Sequence, residues 1–155
     1  MTKKLSKPKL PVCLDGVARE WRRYIEENVE IITTSDLTKH VDNTHSVYRM
    51  QIMFNKPDGV RSMWYAGMTG NPRARISQHK SELKNCKTTT FTGKSVLYSD
   101  EYFGGVSTVE IDFHVIHSGM TRDEAKAGEA VLSEALVDQY GRDHVLTSPK
   151  GRKDD

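Results

Sequence analysis

At 155 residues the chain is long enough for one domain with a modest core. Its hydrophobic content of 36% and charged content of 28% suit a globular protein in water, and no apolar run reaches the ~20 residues of a membrane helix. Two cysteines, Cys13 and Cys86, provide neither a disulfide framework nor a metal-ligand cluster, so a reducing cytoplasm is the expected location.

The net charge of +2 conceals a strong asymmetry. Residues 47–94 carry nine Lys/Arg against two acids, a balance of +7, whereas residues 95–145 carry three against ten, a balance of −7. A segment so basic can neutralise nucleic-acid phosphates, although basic and acidic halves that simply face each other would read the same way.

In chain order, residues 3–9 form a Lys- and Pro-rich stretch without the apolar core of a signal peptide, which suits a basic tail. Residues 17–30 place Val17, Trp21, Tyr24, Ile25 and Val29 at helical spacing. Arg19, Arg22 and Arg23 on the same helix are either DNA contacts or a solvated face. Thr34-Ser35-Asp36 predicts a cap for a short helix over residues 37–41. Residues 47–54 then alternate as a strand, with Tyr48, Met50, Ile52 and Phe54 on one face. Residues 55–59 carry turn chemistry, and residues 60–65 return as the partner strand, ended by Gly67. Asn71-Pro72 opens a helix running to about residue 84, in which Arg75 and His79 share a face. His79 falls between Ile76 and Leu83 on that helix, so a core histidine and a site histidine are both consistent with its position.

Residues 85–93 read as a loop, and residues 94–103 as a short helix stopped by Gly104-Gly105. Residues 108–116 alternate cleanly and predict an outer strand packed on helices. Asp112, His114 and His117 hint at a metal, but the solvent face of a strand supplies Asp112 and His114 with no convergent partner. Thr121 through Glu124 is a helix start, and Gly141 stops the helix after Tyr140. Ala125, Leu132, Leu136 and Tyr140 line one face of it, and Glu129 falls within that face. An inward carboxylate requires a partner: a cation such as one of the arginines, a hydrogen-bond network or a metal ion.

The set resembles the GIY-YIG nuclease family. Ser46-Val47-Tyr48 stands where the family has its first triplet and Tyr65-Ala66-Gly67 where it has its second. Arg75 and His79 follow Gly67 by eight and twelve residues, the family's spacing for its helix-borne Arg and His or Tyr. Ser46 replaces a glycine and Ala66 an isoleucine, and the Asn that often follows the glutamate helix is absent, Asn85 being the last in the chain.

The resemblance implies an α+β fold, a three-stranded, mainly antiparallel sheet flanked by helices, over residues 46–145. Residues 1–45 would then be a basic tail and helical extension, and residues 146–155 a C-terminal tail. It further implies a metal-dependent DNA endonuclease in which Arg75 holds a phosphate, Glu129 ligates Mg²⁺ (or Mn²⁺), His79 lines the site, and Tyr48 or Tyr65 is the general base, with Tyr48 favoured. Lys94 matches loosely a lysine that some phage-encoded members carry near the site, its other reading being an ordinary surface lysine. Arg73, Arg75, Lys80 and Lys94 are the expected nucleic-acid contacts. A binding protein on the same fold without cleavage and an RNA-directed nuclease are the alternatives. A homodimer would serve double-strand cleavage. The compact build, with no separate recognition domain evident, inclines toward a phage or mobile-element source.

Overall fold

The computed structural model describes residues 14–85 and 105–146. In chain order the elements are α1 (Leu14–Asn28), β1 (Glu30–Asp36), β2 (His45–Lys56), β3 (Gly59–Thr69), α2 (Pro72–Asn85), β4 (Thr108–Met120), α3 (Arg122–Tyr140) and a short 3₁₀ turn, Arg142–His144. The fold is α+β, and its sheet has four strands in the order β1-β4-β2-β3 rather than the expected three. The sheet is mixed: β2 runs antiparallel to both neighbours, and β1 runs parallel to β4 from Glu30 opposite Thr108 to Asp36 opposite His114.

Two expectations are corrected by β1. Thr34-Ser35-Asp36 is the end of a strand and not a helix cap, and a turn follows instead of a helix over residues 37–41. The strand of residues 108–116 extends to Met120 and lies inside the sheet, with β1 on its outer side. Asp112 consequently gains a partner from β1. Thr34 Oγ1 donates to Asp112 Oδ1 at 2.7 Å, and His114 Nε2 lies 3.0 Å from the same oxygen.

The β2–β3 hairpin follows directly from the sequence. Its turn is tight, and Gly59 at φ 143° occupies a conformation that disfavours side chains. Both strands run past their expected ends, β3 as far as Thr69. One sheet face carries Tyr48, Met50, Ile52, Phe54, Ile111 and Phe113, all fully buried against α1 and α2. Trp21 and Ile25 of α1 join that core, and Trp21 Nε1 donates to the Leu83 carbonyl of α2 at 2.7 Å. Arg22 Nη1 donates to the Asn85 carbonyl at 3.0 Å, closing the C-terminal end of α2. Arg19 and Arg23 are exposed.

The opposite face of the hairpin holds a smaller core, where Trp64 and Ala66 meet Leu136 and Val145. Trp64 and Tyr140 stack with ring centroids 4.0 Å apart and planes 10° off parallel. The start of α3 is fixed by a capping box: Thr121 Oγ1 accepts from the Glu124 amide, and Glu124 accepts from the Thr121 amide. Farther along α3, Gly128 permits close approach to the sheet, since a Cβ there would stand 3.0 Å from Val47 Cγ2.

Trp21→Ala should lower the free energy of unfolding by about 3–5 kcal/mol, because it opens a cavity and orphans the Leu83 carbonyl. Arg19→Ala, on the exposed side of the same helix, should stay within about 0.5 kcal/mol. Urea unfolding of the two variants checks both values.

Candidate active site

The hairpin delivers two tyrosines side by side. Tyr48 of β2 is opposite Gly67 of β3, and Tyr65 is opposite Met50, so both rings leave the same sheet face. Their centroids are 6.0 Å apart, and their hydroxyls are hydrogen-bonded. The Tyr48 ring covers Gly67 so closely that any Cβ at Gly67 would overlap it. On its other side Tyr48 stacks on Phe113 of β4, with centroids 4.2 Å apart.

Helix α2 supplies the next two groups. Its start is set by Asn71, whose Oδ1 accepts from the Ala74 amide at 3.1 Å, with Pro72 at the first helical position. From that start, Arg75 and His79 project one turn apart toward the tyrosines. His79 is buried, with its ring 5.8 Å from Tyr48 and 5.3 Å from Tyr65. Its Nε2 is 2.7 Å from the Tyr48 hydroxyl. Arg75 hydrogen-bonds Tyr48, and its charge acts on Tyr48, Tyr65, His79 and Glu129 alike.

Glu129 enters from α3. It is half-buried, faces Arg75 and Lys126, and contributes negative charge at Tyr65. Five of the six expected catalytic side chains therefore converge from four elements. Lys94, the sixth, lies outside the described residues. Arg73 and Lys80 are exposed on α2, and Arg73 also lines a cavity of about 470 Å³ between the helix start and the loop bearing His40 and Asn43.

The electrostatics are dominated by burial. It pushes the Tyr48 hydroxyl well above its ordinary value near 10, with Tyr65 adding to the rise and Arg75 opposing it. The Tyr65 hydroxyl is raised by burial and then by Glu129, against the Tyr48 hydrogen bond and Arg75. Burial raises Glu129 as well, opposed by Arg75 and Lys126. His79 is lowered, first by burial and then by Arg75. Glu82 Oε1, 3.3 Å from His79 Nδ1, pulls the other way. Burial and the fixed guanidinium charge outweigh it, and the ring is neutral. With Nδ1 facing a carboxylate and Nε2 facing a hydroxyl, the proton belongs on Nδ1.

Glu82 is the site residue that the sequence reading missed. It is buried, three residues after His79, and its other oxygen accepts from Gln78 Nε2 at 3.1 Å. An inward carboxylate on a helix was the signal at Glu129, and the same signal was present at Glu82. Ser46, in place of a glycine, is also accounted for. It is fully buried where β2 carries a register shift, and its Oγ bridges His40 Nδ1 at 2.6 Å and Ser118 Oγ at 2.8 Å.

Comparison of the chain with protein-family models, with curated proteins and with solved structures found no match.

Gly67→Ala should displace the Tyr48 ring, break the Tyr48–His79 hydrogen bond and cost about 1–3 kcal/mol of stability, measured by urea unfolding. A second expectation concerns pH. Because the His79 ring is depressed in the fold, the unfolded chain binds its proton more readily. The stability held by neutral His79 is therefore complete above about pH 6.5 and is lost as pH falls below that value. The wild-type protein should show this slope, and His79→Gln should lack it, in unfolding measured from about pH 7 to 5.

Proposed function

We propose that this chain is a metal-dependent endonuclease that hydrolyses phosphodiester bonds in DNA through a GIY-YIG-type site. The observation carrying the reading is that Tyr65, Arg75 and His79 surround the buried Tyr48 hydroxyl while Glu129 acts on Tyr65 and Arg75 beside it, from positions spread over 82 residues of chain. A structural core has no need of two linked phenols, a guanidinium and a carboxylate at one point. Phosphodiester hydrolysis needs all of these groups: a base for water, positive charge for the phosphoryl oxygens, and help for the leaving 3′ oxygen.

Arg75 suits the phosphate, since its planar fork binds two oxygens and stays charged. Arg73 and Lys80, exposed on the same helix, extend that contact along the backbone, and Lys94 would add a further charge. Glu129 suits a hard cation. A single half-buried carboxylate, completed by water and substrate oxygens, fits Mg²⁺, and Mn²⁺ by the same donors. Among the described residues no cluster of three His, Cys, Asp or Glu is present, and a largely hydrated Mg²⁺ does not require one. When bound, the ion would supply positive charge at the leaving oxygen.

The two phenols divide the work by exposure. Tyr48 has no accessible surface, whereas Tyr65 is only partly buried. Tyr65 is thus the hydroxyl that meets water, and Tyr48, favoured on sequence grounds, stands behind it. Burial works against ionising either phenol, and the Arg75 cation works for it. The phenolate therefore forms where a positive charge is already fixed.

Incubation of supercoiled plasmid with the protein should give open-circular or linear DNA only in the presence of Mg²⁺ or Mn²⁺. Arg75→Ala and Glu129→Ala should each reduce the rate by roughly 10²–10³-fold. Binding without cleavage by the wild-type protein, across both metals and both DNA and RNA, would replace this reading with a binding module.

A further inference from the structure

The buried Ser46 hydroxyl organises a second region, the loop of residues 37–44 between β1 and β2. Its single proton goes to Ser118 Oγ at 2.8 Å, so toward His40 it can only accept, and His40 Nδ1 donates to it at 2.6 Å. Ser118 Oγ also accepts from the Val41 amide at 2.8 Å, and Thr44 Oγ1 donates to the Val41 carbonyl at 2.6 Å. A polar loop with little apolar burial is thereby fixed from within the sheet, and the His40 ring is fixed with it. In the neutral ring, a proton on Nδ1 leaves Nε2 as an acceptor.

This loop forms one wall of the cavity of about 470 Å³, a volume in the range of small-molecule sites. Leu37, His40, Asp42 and Asn43 line that wall, and Pro72 and Arg73 stand across from them. Arg73 and Asp42 share the space, yet among the described residues neither has an ion pair. The two charges disfavour simple occupants: a bare phosphate suits Arg73 but is repelled by Asp42, and a simple cation meets the reverse. A nucleotide answers both. Its phosphate suits the guanidinium, and an amino group on its base suits the carboxylate. Leu37 and Pro72 offer apolar surface to the flat of the base. The position fits as well. Pro72 and Arg73 lie in the turn of α2 just before Arg75, and Ser46 precedes Tyr48 by two residues, about 7 Å along β2.

We propose that this cavity is a subsite for the nucleotide next to the scissile phosphate, with Arg73 on its own phosphate and Asp42 and His40 Nε2 accepting from the exocyclic amino group of its base. The place of that nucleotide beside the cut rests on the nuclease reading, whereas the affinity of the cavity for a nucleotide rests on its lining. Thymine has no exocyclic amino group and leaves both acceptors unanswered, so cytosine is the preferred pyrimidine.

The test titrates full-length protein labelled with ¹⁵N-histidine with dCMP, dTMP and inorganic phosphate, beside Asp42→Ala and Arg73→Ala, both at exposed positions. In the wild-type protein dCMP should move the His40 ring signals, and dTMP should bind roughly tenfold more weakly. Asp42→Ala should abolish that preference, and Arg73→Ala should weaken both nucleotides alike. In cleaved DNA, thymine should be depleted at one position beside the cut, and Asp42→Ala should restore it. His40 signals that neither nucleotide moves, equal binding of dCMP and dTMP, or a response to inorganic phosphate equal to that of dCMP overturns the inference. A preference in the titration with no bias in the cut ends overturns the placement beside the scissile phosphate. If the wild-type protein cleaves no DNA, the nuclease reading fails, and the titration still decides whether the cavity takes a nucleotide.

Discussion

A phenol with no solvent access must find its hydrogen bonds inside the protein, and in this fold that requirement falls on Tyr48. Meeting it constrains every neighbouring element. The ring can lie flat only because β3 presents Gly67 beneath it, and Phe113 of β4 covers it from the side. The hydroxyl can be satisfied only if α2 begins where Asn71 and Pro72 start it, since that phase brings His79 to 2.7 Å and Arg75 within bonding reach. The hairpin register, the helix start and the site are thus one arrangement. A one-residue slip of β2 would send Tyr48 to the face that packs on α3.

The charges around that hydroxyl follow a single pattern. Burial favours the neutral form of Tyr48, Tyr65, Glu129 and His79. Arg75 is the permanent charge common to all four. It lowers the cost of a negative phenol or carboxylate and raises that of a positive imidazole. Any negative charge brought to Arg75 would therefore change the balance at all four groups at once. Glu82 lies at the far end of this set, buried with its Oε1 3.3 Å from His79 Nδ1.

Much of this was legible in the sequence. Period-two alternation identifies β2 and β4, the turn chemistry of residues 55–59 identifies β3 as the returning partner of β2, and helical spacing and caps identify α1, α2 and α3. The strand β1 escaped because it has no buried face to advertise: of Glu30–Asp36 only Ile31 is even partly buried. Its Thr-Ser-Asp end offers hydroxyl and carboxylate groups that suit a helix cap equally well. Its place is set by β4, a contact spanning more than 70 residues that no local pattern can reveal. The same lack of tertiary context concealed Thr34 as the partner of Asp112. It also hid the unequal burial of the two tyrosines, which appears only once Gly67, Phe113 and His79 enclose Tyr48.

The central claim is that this cluster cleaves phosphodiesters, and the chemistry of the cut ends tests it most directly. A labelled duplex incubated with protein and Mg²⁺ should yield ends that DNA ligase can reseal, 5′-phosphate and 3′-hydroxyl, as required by water attack with loss of the 3′ oxygen. Arg75→Ala should yield none. Duplex that remains intact while bound to the wild-type protein would contradict the claim, as would ends bearing a 3′-phosphate.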